Sequence, residues 1–153
     1  MPIQPGNRIP DAALSTMAEN QPVDISSDQI FSDRKVLLFA VPGAFTPTCS
    51  ARHLPGYIDL APEFLERGID SIACMAVNDV FVMDAWGQSA GAGEILMLAD
   101  GNADFTMAMG LEMDARPYGM GVRSQRFALL AENGVVRQLF LEGPGEFRVS
   151  SAE

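Results

Sequence analysis

One cysteine, Cys49, stands where an apolar strand pattern gives way to a helix pattern. The run Val36–Val41 is typical of a strand buried on both faces, and it stops at Pro42-Gly43. The turn that follows delivers Cys49 to the expected start of a helix. Unpaired N–H groups and the positive end of the helix dipole favour a thiolate over a thiol at such a place. The stretch 41–50 therefore predicts a reactive thiolate.

Two residues upstream of Cys49 are candidates for shaping its chemistry. Thr46 lies three positions before Cys49, the spacing at which thiol oxidoreductases carry the first cysteine of a CxxC pair. A threonine there excludes a local disulfide but puts a hydroxyl near the sulfur. Pro42, seven positions before Cys49, would shield the site and shape the turn.

The other side chains give little support to metal or cofactor chemistry. Two cysteines and one histidine, namely Cys49, Cys74 and His53, are too few for a four-ligand Cys/His zinc site. HExxH, CxxC, P-loop and strand-linked GxGxxG patterns do not occur in the sequence. We therefore expect no metal and no cofactor. So few cysteines fit a reducing compartment, and a cytoplasmic location is expected.

The net charge of −10 argues against nucleic acid and anionic membranes as partners. Twenty acidic residues stand against ten basic ones, and Lys35 is the single lysine. Phosphate binding needs clustered basic side chains, so the acidity more readily serves solubility. No apolar run approaches the roughly 20 residues that span a bilayer. Residues 1–8 show no targeting pattern.

Hydrophobic periodicity predicts a β-α-β-α-β-α order followed by a β-hairpin. This alternation indicates an α/β fold with a mixed central β-sheet flanked by helices, in a single domain spanning 1–153. The predicted strands are Val36–Val41, Ile69–Val77, Ile95–Ala99, Arg126–Ala131 and Val135–Leu141, the last two joined at Asn133-Gly134. The predicted helices follow Cys49 (interrupted at 54–56 and ended by Gly68), run from Val80 to about Gln88 behind an Asn78-Asp79 cap, and cover Ala103–Met109.

The remaining segments carry weaker patterns. Residues 1–22 are expected to be irregular, apart from a short strand near 13–17, and 24–34 suggests a one-turn helix. A Gly- and Met-rich loop is expected over 111–124. Ser150 and Glu153 form a capping-box pattern, which indicates the start of a helix, and whether a C-terminal helix or a fused partner domain follows residue 153 is left open.

The spacing Pro42-x-x-x-Thr46-x-x-Cys49 resembles the active-site motif of the peroxiredoxins, and the string 41–56 looks like their type II, peroxiredoxin-5-like subfamily. The resemblance covers essentially the whole chain. It implies a thioredoxin-like fold and the reduction of hydrogen peroxide and organic hydroperoxides by a thiol. It also matches Pro42, Thr46, Cys49 and Arg126 to the catalytic positions of the family. Further similar segments are 77–79, 85–87, 98–102 and 121–127.

Elementary chemistry explains these four positions. A free cysteine is only a few per cent thiolate at pH 7, so the helix start and the Arg126 cation would have to lower the pKa of Cys49. Hydrogen bonds from Thr46, the Cys49 backbone N–H and Arg126 would stabilise the charge on the departing oxygen. The product would be a Cys49 sulfenic acid. The plainer alternative for Cys49 is an inert buried thiol.

Cys74 is a candidate resolving cysteine or simply a core residue. Its place in the middle of a strand favours the core. Plant-like members of the resembled subfamily carry a cysteine at this spacing, whereas other members have a resolving cysteine near the C-terminus, which this sequence lacks. The resemblance therefore implies an external reductant, glutathione with glutaredoxin or else thioredoxin. It also implies a homodimer.

Several side chains have two alternative roles or locations. His53 could serve as a general base for Cys49, but packing or a subunit contact is favoured. Arg123 is expected to be structural, with a role in orienting Arg126 left open. Trp86 and Phe45 are expected either in the core or at a subunit contact. The alternative functions are a peroxide-sensing redox switch or chaperone without efficient turnover, and a disulfide oxidoreductase, which the missing CxxC disfavours.

Overall fold

A computed structural model describes residues 2–47, 52–143 and 150. Cys49, and the predicted helix cap apart from Ser150, lie outside the described residues. The described elements are β1 (Ala13–Ala18), β2 (Gln21–Ser26), α1 (Ser27–Phe31), β3 (Lys35–Ala40), α2 (Leu54–Glu66), β4 (Ser71–Ala76), α3 (Val80–Ala90), β5 (Ile95–Ala99), α4 (Asp104–Ala108), β6 (Glu112–Asp114), β7 (Val122–Ser124), β8 (Phe127–Glu132) and β9 (Val135–Leu141).

Seven strands form a mixed sheet in the order β2-β1-β5-β4-β3-β8-β9. The three central strands β5, β4 and β3 are parallel, and β8 pairs antiparallel to β3. One face of the sheet packs against α1 and α4, and the other packs against α2 and α3. The predicted α/β fold with a mixed sheet between helices is therefore confirmed.

Strand β3 shows why its sequence is apolar throughout. Val36, Leu38 and Ala40 belong to the core on the α1/α4 face. Leu37 and Phe39 belong to the core on the α2/α3 face, together with Val41 just after the strand. Because successive side chains point to opposite faces, both sets must be apolar.

Three predicted segments differ from the structure. Residues 21–22 were expected to be irregular and 24–26 to belong to a one-turn helix, but all of them lie in the edge strand β2, which tolerates Pro22 where no ladder N–H is needed. The expected loop 111–124 contains the short antiparallel pair β6/β7. The predicted break at 54–56 is absent, since α2 begins at Leu54 and Pro55 lies in its first turn, where a missing N–H costs little. Pro62 lies inside the same helix.

Two local predictions are confirmed in detail. Asp79 caps α3, its side chain accepting a hydrogen bond from the Val82 N–H at 2.8 Å. Asn133 and Gly134, between β8 and β9, have φ values of 48° and 77°. Both are left-handed, as a two-residue Asn-Gly hairpin turn requires. Across the described ranges, none of the helices combines the length and apolarity needed to cross a membrane.

The Asp79 cap gives a stability prediction. Asp79→Ala should lower the free energy of unfolding by about 1 kcal/mol, because one N–H of the first turn of α3 loses its acceptor. Asp79→Ser keeps an oxygen in reach and should stay close to the parent. Urea denaturation measures both, and a Ser variant as unstable as the Ala variant would contradict the capping role.

Candidate active site

The loop after β3 is fastened to the end of β4 and to itself. The Ala44 N–H donates to Asn78 Oδ1 at 2.9 Å. The Thr46 hydroxyl donates to the Gly43 carbonyl at 2.7 Å, so its hydrogen is taken and its oxygen is left as an acceptor. Pro42 and Thr46 are both half-buried. The loop that leads to Cys49 is thus held at the carboxyl end of the parallel strands.

Arg123 lies against this loop and hydrogen-bonds two backbone carbonyls beside it. Its Nε donates to the Met120 carbonyl at 2.8 Å and its Nη1 to the Val77 carbonyl at 3.0 Å. A Cβ on Gly43 would lie 3.3 Å from Arg123 Nη1 and 3.2 Å from Thr46 Cγ2. Only a residue without a side chain fits there without pushing these atoms aside. The expected structural role of Arg123 is confirmed by these bonds.

Arg126 reaches the same end of the sheet from the neighbouring strand. The register pairs Ala40 with Phe127, which puts Arg126, just before β8, beside the residue that precedes Pro42. The Arg126 side chain is half-buried. Its Nη1 lies 2.7 Å from Nδ1 of His53. Because a guanidinium can only donate, His53 Nδ1 is the acceptor and carries no hydrogen.

His53 is a neutral, fully buried imidazole at the start of α2. With Nδ1 accepting, the ring hydrogen lies on Nε2, which donates to the Ser150 carbonyl at 3.0 Å. Burial first, and the Arg126 charge second, lower the pKa of His53 to about 3. The Ser150 carbonyl and the Glu142 charge act in the opposite direction and are outweighed.

The hydrogen bond that His53 accepts from Arg126 was not expected from the sequence. The expected packing role holds, but a subunit contact does not fit a side chain with no exposed surface. A general base is also disfavoured, because Nδ1 already accepts from Arg126. The sequence offered one signal, the position four residues after Cys49, at which a helix would place His53 on the same face as Cys49.

Ser150 and Glu142 complete a buried polar cluster behind His53. The Ser150 carbonyl also accepts from the Tyr57 hydroxyl at 2.7 Å. Glu142 Oε2 accepts from the Ser150 N–H at 2.8 Å and from its hydroxyl at 2.7 Å. Sequence reasoning missed both residues, since neither belongs to a local pattern with His53.

Tyr57 belongs mainly to the core beneath this cluster. Its ring stacks on Phe39 with centroids 3.9 Å apart and planes at 4°. Burial first, then the nearby Cys74 and Glu142, raises the pKa of Tyr57. Its hydroxyl therefore stays protonated and donates to Ser150.

Cys74 is a core residue in the middle of β4. It has no exposed surface, and it pairs with Phe39 on one side and Met97 on the other. The core setting predicted for Cys74 is confirmed. Its relation to Cys49 involves a residue outside the described ranges, so a resolving role stays a prediction.

Phe45 and Trp86 meet at the rim of the loop. Trp86 is almost fully buried in the α2/α3 core, whereas Phe45 is 53% exposed. Their ring centroids lie 6.4 Å apart. The core alternative is therefore correct for Trp86, and Phe45 offers an apolar surface.

Comparison with known proteins gives consistent matches along the chain. A family model described as Redoxin matches residues 4–153. The chloroplastic Peroxiredoxin-2E-2 of Oryza sativa subsp. japonica is 51% identical, with 97% of this chain and 68% of that protein covered. Peroxiredoxin-2C of Arabidopsis thaliana is 47% identical, covering 99% and 95%. A crystal structure of reduced Prx3 from Vibrio vulnificus in complex with H₂O₂ has a TM-score of 0.95 at 53% identity, covering 98% and 94%.

The pKa of His53 predicts how stability responds to acid. The unfolded chain binds a proton near pH 6.5 and the folded chain only near pH 3, so stability is lost as pH falls through this window. From pH 7.5 to 4.5, His53 should cost roughly 2 to 3 kcal/mol. His53→Gln, which removes the one histidine, should lack this loss. Urea denaturation at each pH measures the difference, and parallel profiles for parent and variant would refute the assignment.

Proposed function

Because this chain belongs to the Redoxin family and, within it, to the type 2 peroxiredoxins, we propose that it reduces hydrogen peroxide and organic hydroperoxides through Cys49. Membership makes it a thiol-dependent peroxidase with a thioredoxin-like fold, as the sequence predicted. Family membership does not specify the substrate, the role of each residue or the reductant, and these three points form the proposal.

The observation that carries the proposal is the position of Arg126 beside the start of the loop that leads to Cys49. The β3–β8 register brings Arg126 beside the start of that loop. His53, four positions after Cys49, holds the guanidinium by a 2.7 Å hydrogen bond. A fixed cation next to a thiol at a helix start is the setting that lowers a thiol pKa.

The first chemical step is a displacement at oxygen. The Cys49 thiolate attacks one peroxide oxygen, an S–O bond forms and the O–O bond breaks. The departing oxygen takes a proton and leaves as water or an alcohol, and Cys49 becomes a sulfenic acid. The relative from Vibrio vulnificus, solved with H₂O₂, supports hydrogen peroxide as a substrate.

Arg126 and Thr46 have different tasks in this step. Arg126 is a permanent donor and stabilises the charge that develops on the departing oxygen. The Thr46 hydroxyl gives its hydrogen to Gly43, so its oxygen can accept the O–H of a bound peroxide and orient it. A donor role for Thr46 would require the hydroxyl to rotate away from Gly43. Pro42 closes the loop against water.

We assign the return to the thiol to an external reductant. Glutathione attacks the sulfenic acid, water leaves, and a mixed disulfide forms. Glutaredoxin then takes the glutathionyl group and releases the Cys49 thiol, with thioredoxin as the other reductant class. The complete burial of Cys74 supports this assignment, since a core thiol must be exposed before it can react.

The proposal includes a homodimer in the cytoplasm. Phe45 and Phe81 are 53% and 64% exposed, and burial of such side chains against a second copy would be favourable. The name of the Oryza sativa relative includes the word chloroplastic, and this describes the location of that protein only. Sedimentation velocity tests the dimer, and a monomer at micromolar concentration would rule it out.

Substitution of each cysteine tests the proposal. Cys49→Ser should abolish peroxide consumption in an NADPH-coupled assay with glutathione, glutaredoxin and glutathione reductase, because a hydroxyl is not ionised at pH 7. Cys74→Ser should keep most of the activity. Full activity in the Cys49→Ser protein would refute the proposal, and loss of turnover in both variants would favour Cys74 as a resolving cysteine.

Product masses test the reset step. After one equivalent of peroxide, we expect the Cys49 peptide to gain one oxygen, and after glutathione to carry one glutathionyl group. A Cys49–Cys74 disulfide would contradict the external reductant. Oxidation at Cys49 without multiple turnovers would instead favour the redox switch or chaperone.

A further inference from the structure

Arg126 and three further residues form a closed ring of hydrogen bonds. Arg126 Nη1 donates to His53 Nδ1, and His53 Nε2 donates to the Ser150 carbonyl. The Ser150 N–H and hydroxyl both donate to Glu142 Oε2. The Glu142 N–H closes the ring by donating to the Arg126 carbonyl at 3.0 Å.

The ring lies in the protein interior, where a charge without compensating partners is energetically costly. Glu142 is 5% exposed, and His53 and Ser150 are fully buried. A buried carboxylate persists only where donors compensate it, and both donors of Ser150 point at one oxygen. The Ser150 carbonyl, on the residue held by these two bonds, accepts from His53 Nε2 and from the Tyr57 hydroxyl.

We propose that Glu142 is a positioning residue for Arg126, acting through Ser150 and His53. By fixing the Ser150 carbonyl, Glu142 keeps the ring hydrogen of His53 on Nε2 and leaves Nδ1 as an acceptor. That acceptor holds the guanidinium of Arg126. The inference rests on the proposed function, in which Arg126 acts on the peroxide at Cys49.

The expected consequence for the reaction is geometric. A guanidinium on a long flexible side chain has many rotamers, and ordering it in advance removes that cost from the reaction. Without Glu142, the Ser150 carbonyl loses its anchor, His53 can change tautomer, and Nδ1–H would then repel the Arg126 donor. The cation would be displaced from the peroxide.

The test combines Glu142→Ala with Arg126→Gln in a double-mutant cycle. The measured quantity is the second-order rate constant for oxidation of Cys49 by H₂O₂ in a single turnover, from rapid quench and the mass of the Cys49 peptide. Glu142→Ala should slow this step by about 10-fold or more when Arg126 is present. In the Arg126→Gln protein the same change should alter the rate by less than about twofold. Equal effects in the two backgrounds, or no slowing with Arg126 present, would overturn the inference.

Tyr57→Phe is the matched control for a purely structural effect. It removes a buried hydrogen bond to the same Ser150 carbonyl but leaves the bond from His53. The melting temperature should fall while the oxidation rate stays within about twofold of the parent. A loss of rate as large as in Glu142→Ala, and equally large in the Arg126→Gln protein, would show that losing a buried hydrogen bond is by itself enough to slow oxidation, and would overturn the inference.

A second variant keeps the test usable if Glu142→Ala does not fold. Glu142→Gln retains an oxygen that can accept from Ser150 and should slow oxidation by only about threefold, an effect that again disappears in the Arg126→Gln protein. Equal effects in both backgrounds would overturn the inference here too. Arg126→Gln alone separates the two levels: if it leaves the rate unchanged, the proposed role of Arg126 fails, whereas slowing there without a Glu142 effect refutes only the inference.

Discussion

The hydrogen bond from Arg126 to His53 is the interaction on which the rest of the site depends. It ties the start of β8 to the start of α2 and fixes a cation at the edge of the sheet. It can form only if His53 is neutral with its hydrogen on Nε2. Burial and the Arg126 charge together secure that neutral state, with a pKa of about 3. Electrostatics and hydrogen bonding here select the same protonation state.

The sheet register is the second constraint. Because β8 pairs antiparallel with β3, Arg126 and the loop after β3 lie at the same edge although they are distant in sequence. A slip of one residue would turn every side chain of β8 to the opposite face and direct Arg126 into the other core. The apolar residues of both strands oppose such a slip, since each set is matched to its own face. Core packing thus sets the geometry of the site.

The two cysteines lie in different sequence contexts. Cys49 belongs to a loop-to-helix junction in the sequence, whereas Cys74 lies between two neighbouring strands with no exposed surface. In the proposed reaction, peroxide reduction and thiol recovery therefore draw on different features of the protein. As proposed, the first depends on a preorganised cation and loop, and the second on access for another thiol. Cys74 is fully buried in the core, and a resolving role for it stays a prediction.

The sequence by itself determined the features that depend on neighbours along the chain. Local patterns predict the buried strand β3, the Asp79 cap and the Asn133-Gly134 turn. The spacing of Pro42, Thr46 and Cys49 can be read directly from the sequence. Only the tertiary structure decided that His53 accepts from Arg126, 73 positions away, and that Ser150 and Glu142 stand behind it. Strand β2 was missed for a related reason, because its pairing with β1, not its own composition, makes it a strand. Hydrogen-bond partners distant in sequence leave no periodic signal, and folding alone brings them together.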